Sequence, residues 1–176
     1  MCMEERLQGN PVSEGIAYAK SYIYIPGTLT KAPDFFPKGQ EEEKYREFRE
    51  SCEKADSELV TLYNGMCKED PDKAKIFSAH RELLQDEEIL DEIRETICEE
   101  NMNPDSAVSK VYTEFAELLA GVEDPLIAER AADLRDVRDR LLRILSGQET
   151  SKLSSFSEDV ILVAHDLLPS DTATMD

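Results

Sequence analysis

The sequence predicts a mostly α protein: an antiparallel four-element helical bundle, one helix broken, inserted in an incomplete α/β domain. Three observations carry this. Apolar residues recur at steps of three and four through most of residues 41–146, a β-like segment precedes that stretch at 15–25, and a continuous apolar run follows it at 160–164. Short junctions carrying Pro or Gly separate the helical segments, and short connections make helices antiparallel neighbours.

Element by element, Gly15 to Ile25 (GIAYAKSYIYI) mixes small, aromatic and β-branched residues and reads as a strand. Pro26 to Gly39 holds three prolines and two glycines with no sustained period, which makes it a linker or crossing loop. From Glu41, Tyr45, Phe48, Cys52, Ala55, Leu59, Leu62 and Met66 form one seam of a long helix whose other positions are mainly charged. Asp70 and Pro71 open a second helix with Ile76, Phe77, His80, Leu83 and Leu84 along its stripe.

The cluster Asp86, Glu87, Glu88 either interrupts that helix or begins a new one. Two short helices with a kink are favoured, the second carrying Ile89 or Leu90, Ile93 and Ile97. Asn103 and Pro104 signal the next start, leading into Val108, Val111, Phe115 and Leu118, with Gly121 as the stop. Asp124 and Pro125 repeat the signal before Leu134, Val137, Leu141 and Ile144 or Leu145, and Gly147 closes the helix. Val160 to Ala164 is an unbroken apolar run of the kind buried on both faces of a sheet, and Pro169, Ser170 and Asp171 are placed to open a helix. The implied division is 1–32 and 149–176 for the partial α/β domain and 33–148 for the helical domain.

At 176 residues and 19.9 kDa the chain is long enough for one good core or two small ones. Thirty-nine acidic against twenty basic residues give a net charge of −19, which opposes nucleic acid and anionic membranes and favours a cationic partner. Cys2, Cys52, Cys67 and Cys98 lack CxxC spacing, and only His80 and His165 are available to join them, so no zinc cluster is expected. Met1 to Gly9 has no apolar core of a signal peptide, and no apolar run approaches the length of a membrane span. A cytoplasmic, reduced protein is the expectation.

No GxGxxG or Walker loop is present, and carboxylates at helical spacing are ordinary in so charged a bundle. Asp133, Asp136 and Asp139 are expected to face water, with no clustered histidine or cysteine and hence no hard-metal site. The positive signal is electrostatic. Residues 82–100 hold nine acidic residues against Arg94, a net −8, beside Leu83 and Phe77. That combination reads either as an apolar anchor with a charged rim or as a solvated face, with Glu87 and Glu88 serving a helix N-terminus. His80 reads either as a packed histidine or as a contact residue.

Four stretches, SEGIAYAKSY (13–22), AKIFSAHRELLQDEEILDEI (74–93), ERAADLRDVRDRLLRIL (129–145) and ILVAHDLLPSDTATMD (161–176), occur in an order that resembles the N-terminal region of enzyme I of the bacterial phosphoenolpyruvate:sugar phosphotransferase system. The resemblance implies a helical domain that binds the phosphocarrier protein HPr, inserted in a swivelling phosphohistidine α/β domain. A separate C-terminal barrel would bind phosphoenolpyruvate and magnesium, so no cofactor is implied for this chain itself. The family's phosphorylated histidine lies in a Gly-Gly-x-Thr-Ser-His type segment that these 176 residues lack. His165 sits where relatives usually have a small residue, so the fragment alone is expected to be inert.

Carried over by position, the HPr-binding residues are Phe77, His80, Glu82, Leu83, Leu84, Asp86, Glu87, Glu88 and Arg130. Glu82 stands where some relatives have methionine, which implies a different partner or a carrier with an extra base. The same stretches fit a nitrogen-type or multi-domain paralogue, and a non-catalytic acidic interaction protein is the reading from another class. Self-association through incomplete sheet edges is a further expectation.

Overall fold

The computed structural model describes residues 13–24, 34–147, 158–164 and 167. The order is β1 (Lys20–Tyr24), α1 (Glu41–Met66), α2 (Pro71–Leu84), α3 (Glu87–Cys98), α4 (Pro104–Ala120), α5 (Pro125–Leu145) and β2 (Val160–Ala164). Most of the crossing loop, the helix start expected at Pro169, residues Cys2 and His165, and both domain borders lie outside the described residues.

The bundle has the expected composition: α1, the broken pair α2 and α3, α4 and α5 surround one core. Phe48, Ala55 and Leu59 of α1 meet Phe77 and Leu84 of α2, Ile89, Ile93 and Ile97 of α3, Val108 and Val111 of α4, and Leu134, Val137 and Leu141 of α5. Burying side chains of this size stabilises each by about 1.5–3 kcal/mol relative to exposure, so packing rather than intrinsic propensity holds these helices. Start signals work locally. The Asp70 carboxylate accepts hydrogen bonds from the amides of Asp72 and Lys73 at 3.1 Å each, and Asp124 accepts from the Leu126 amide at 3.0 Å.

The break between α2 and α3 has the same cause. Asp86 leaves helical geometry (φ −63°, ψ 121°) and its carboxylate accepts from the amides of Glu88 and Ile89, so it starts α3. Asn103 departs from expectation: it occupies the N-cap position of α4, but its side chain makes no capping bond. Its backbone is instead tied to the incoming chain, Asn103 N donating to Asp34 O and Phe36 N to Asn101 O, each at 2.9 Å, while Phe36 is buried.

Two packing expectations are corrected. Leu118 is 70% exposed although it sits one heptad beyond Val111; the core-facing stripe of α4 runs through Val108, Tyr112, Ala116 and Leu119, and Leu119 rather than Leu118 packs on the core in the last turn. The apolar run at 160–164 is not buried on both faces. It alternates, with Ile161 and Val163 partly exposed, because among the described residues the sheet has two strands. These pair in parallel, Lys20 opposite Val160 through Tyr24 opposite Ala164, so the whole bundle is the crossover between them. Residues 15–19, expected within the first strand, precede it in irregular conformation.

Candidate docking surface

The corner between α2 and α3 collects most of the residues singled out in the sequence, and helix geometry sorts them. Phe77, His80 and Leu84 turn inward and are essentially fully buried. This corrects the expected surface anchor: steps of three and four from Phe77 put all three on the one face of α2 that meets the core. Leu83 is half-buried, while Glu82, Asp86, Glu87, Glu88 and Arg130 are exposed.

Arg81 turns towards α1, where Nε and an Nη donate to the two oxygens of Asp56 at 2.7 and 3.2 Å; Gln85 Nε2 donates to the same carboxylate at 3.1 Å. The bidentate pairing raises the pKa of Arg81, led by its hydrogen bond to Asp56. Both sides of α2 are thereby fixed, because His80 engages α5.

That second tie overturns the reading of Asp133 and Asp136 as water-facing. His80 Nε2 lies 3.3 Å from Asp133 Oδ1 and Nδ1 lies 3.4 Å from Asp136 Oδ2, and Asp136 is only 3% exposed. The histidine missing from their sequence neighbourhood comes from another helix, which is why spacing along the chain did not reveal it. Arg140 continues the row: buried, one helical turn beyond Asp136, it donates to Glu58 of α1 at 2.9 Å, and Arg143 donates to the same carboxylate. Burial lowers the pKa of Arg140, against the opposing pull of Asp136 and Glu58. Phe77 meets the His80 ring edge-on at 6.4 Å between centroids. Asp139, by contrast, accepts from Arg138 Nε on its own helix at 2.7 Å.

Arg130 lies one helical turn before Asp133, hence on the side of α5 that borders α2. One turn further back are Leu126, 73% exposed, and Ile127; across the α4–α5 turn lie the exposed Leu118 and Val122. Sequence reasoning missed this apolar group. The available signal was a pair of apolar residues in the first turn of α5, ahead of the seam that begins at Leu134.

The surface thus presents apolar side chains and a guanidinium on α5 beside carboxylates at the α2–α3 corner. His80, the histidine among the described residues, has both ring nitrogens turned to carboxylates in the interior rather than to this surface. A separate cavity of about 630 Å³ lies at the other end of the bundle, between Phe35, Lys44, Met102, Lys110, Leu142 and Leu145. Among the described residues no group of three His, Cys, Asp or Glu side chains is arranged to hold a metal.

Residues 8–130 match the family model described as PEP-utilising enzyme, N-terminal. Phosphoenolpyruvate-protein phosphotransferase of Priestia megaterium is 36% identical over 174 residues, covering 98% of this chain and 30% of the relative. That of Bacillus subtilis (strain 168) is 36% identical over 172 residues, covering 97% and 30%. The chain therefore spans 30% of the length of these relatives. A solution structure of an enzyme I protein superposes with TM-score 0.78 at 34% identity, covering 89% of this chain and 64% of that one. The N-terminal domain of a nitrogen-type enzyme I superposes with TM-score 0.67 over 90% of this chain and 64% of its own; at 23% identity that likeness concerns the fold alone. The chain belongs to the N-terminal family of PEP-utilising enzymes, and over nearly its whole length it is similar to part of the phosphoenolpyruvate-protein phosphotransferases.

Proposed function

We propose that this chain is the part of an enzyme I that docks an HPr-type phosphocarrier. The observation that carries the reading is the mixed surface at the α2–α3 corner and the start of α5, in a chain similar over nearly its whole length to phosphoenolpyruvate-protein phosphotransferases. Exposed Leu126 and Ile127 supply apolar area, half-buried Leu83 extends it, and Glu82, Glu87 and Glu88 form a charged rim. In such an interface apolar contact holds the partner while charge sets encounter rate and orientation. The parent protein would pass a phosphoryl group from phosphoenolpyruvate, through a histidine, to the carrier in cytoplasmic sugar uptake. Magnesium would act on its separate barrel, and the present residues would contribute binding and orientation.

The test is a titration of the isotope-labelled chain with the HPr-type carrier encoded in the same genome. Amide shifts clustering at residues 82–88 and 126–130 and saturating with carrier support the reading. No saturable change at millimolar protein overturns it.

A further inference from the structure

Arg140 carries more donors than its protein neighbours satisfy. Its side chain is 3% exposed, and Nη1 donates to Glu58 Oε2 at 2.9 Å. Nε and Nη2 are shielded from bulk solvent and have no hydrogen-bond partner among the described residues. A guanidinium stays charged, so a dry N–H at either nitrogen would bear the full desolvation cost of a charged donor.

These nitrogens do not stand alone. Asp136 lies one helical turn earlier on α5 and is 3% exposed, and His80 Nδ1, on α2, is 3.4 Å from Asp136 Oδ2. That ring nitrogen is also buried and has no hydrogen-bond partner among the described residues. Three unsatisfied nitrogens from two helices thus lie around the Asp136 carboxylate, and Glu58 closes the row from α1. Buried polar atoms in native proteins are nearly always hydrogen-bonded, to the protein or to ordered water.

The surrounding chemistry selects the ligand. A cation is opposed by the guanidinium, and among the described residues no group of three His, Cys, Asp or Glu is arranged to hold a metal. An anion would be set against the Asp136 carboxylate itself. What fits is a small neutral molecule that accepts from Arg140 and donates to Asp136 at once. Water does both, and a buried water needs two to four polar partners of this kind.

We propose that the junction of α2 and α5 is an internal water site. At least one ordered water accepts from Nε or Nη2 of Arg140, donates to Asp136 and reaches His80 Nδ1, so that solvent built into the fold joins the two helices. The site is independent of the docking reading.

The experiment is a high-resolution crystal structure of the whole chain, from crystals grown with bromide in place of chloride, together with water–protein cross-relaxation in solution. The expected result is a density peak within hydrogen-bond distance of both Asp136 and an unsatisfied Arg140 nitrogen, without anomalous scattering. In solution a cross-peak of the sign given by a long-lived water is expected at the carbon-bound Hε1 of His80, and it is lost in Arg140→Met, which removes the donors. Anomalous scattering at the peak makes the occupant an anion and overturns the proposal. Direct contact of Nε or Nη2 with Asp136, with no density between them, overturns it as well, and so does a cross-peak as strong in Arg140→Met as in the wild type. Should Arg140→Met fail to fold, the wild-type crystal structure decides the matter by the same criteria.

Discussion

His80 lies between two carboxylates, and Asp136 lies between His80 and Arg140, all three essentially removed from water. A buried charge is tolerated when its neighbours oppose it, and removing one member leaves the others uncompensated. Asp136→Asn is therefore expected to destabilise the chain by about 3 kcal/mol in chemical denaturation. Asp133→Asn, at a half-exposed position on the same imidazole, is expected to cost about 1 kcal/mol or less. The reverse order of the two effects would sink this account of the buried row. The sequence displayed every member of the row and none of its contacts: His80 and Asp136 are 56 positions apart, and only the packing of α2 on α5 sets imidazole against carboxylate.

At the scale of the element, helix limits follow from short-range chemistry and were largely legible. Asp70 and Asp124, each followed by Pro, start helices in the structure as their sequence context predicts, and Asp86 makes one apolar stripe into two helices. Asp86→Ala should cost about 1 kcal/mol and accelerate amide exchange at Glu88 and Ile89. Unchanged protection at those amides would show that α3 does not depend on its cap. Asp70 adds a pH dependence. The hydrogen bond from the Lys73 amide, with further help from the Lys73 side chain and the Asp72 amide, lowers its pKa. A carboxyl with a lowered folded pKa stabilises the fold above its unfolded value, about 3.9, and that contribution is lost as pH falls through the folded value. The first turn of α2 should accordingly fray on acidification below about pH 4, with faster exchange at residues 74–76, and Asp70→Asn should weaken that dependence.

For the molecule as a whole, two numbers matter: a net charge of −19 and a sheet of two strands among the described residues. Charge of one sign opposes contact between copies, whereas the exposed apolar side chains of Ile23 and Val163 favour it. Salt screens the first and leaves the second, since the Debye length falls from about 10 Å at 0.1 M to about 3 Å at 1 M. Light scattering of the isolated chain should therefore show association that grows with salt and protein concentration. A monomer independent of both, with residues 21–23 and 161–163 strongly protected from exchange, would contradict this. The order of strands and helices was readable because each element announces its own period. The parallel register of β1 with β2 was not, because it joins segments separated by the entire bundle.

The sequence by itself determined the helices, their limits, the antiparallel bundle and the family, because periodicity, capping residues and short connections act over a few neighbouring positions. The tertiary structure alone decided which apolar and polar side chains reach the surface. It sent Phe77, His80 and Leu84 inward, closed Asp136 around His80, and left Leu126, Ile127 and Glu82 outside. Burial depends on which helix lies opposite, and that opposition is a property of the packed assembly rather than of any local run of residues.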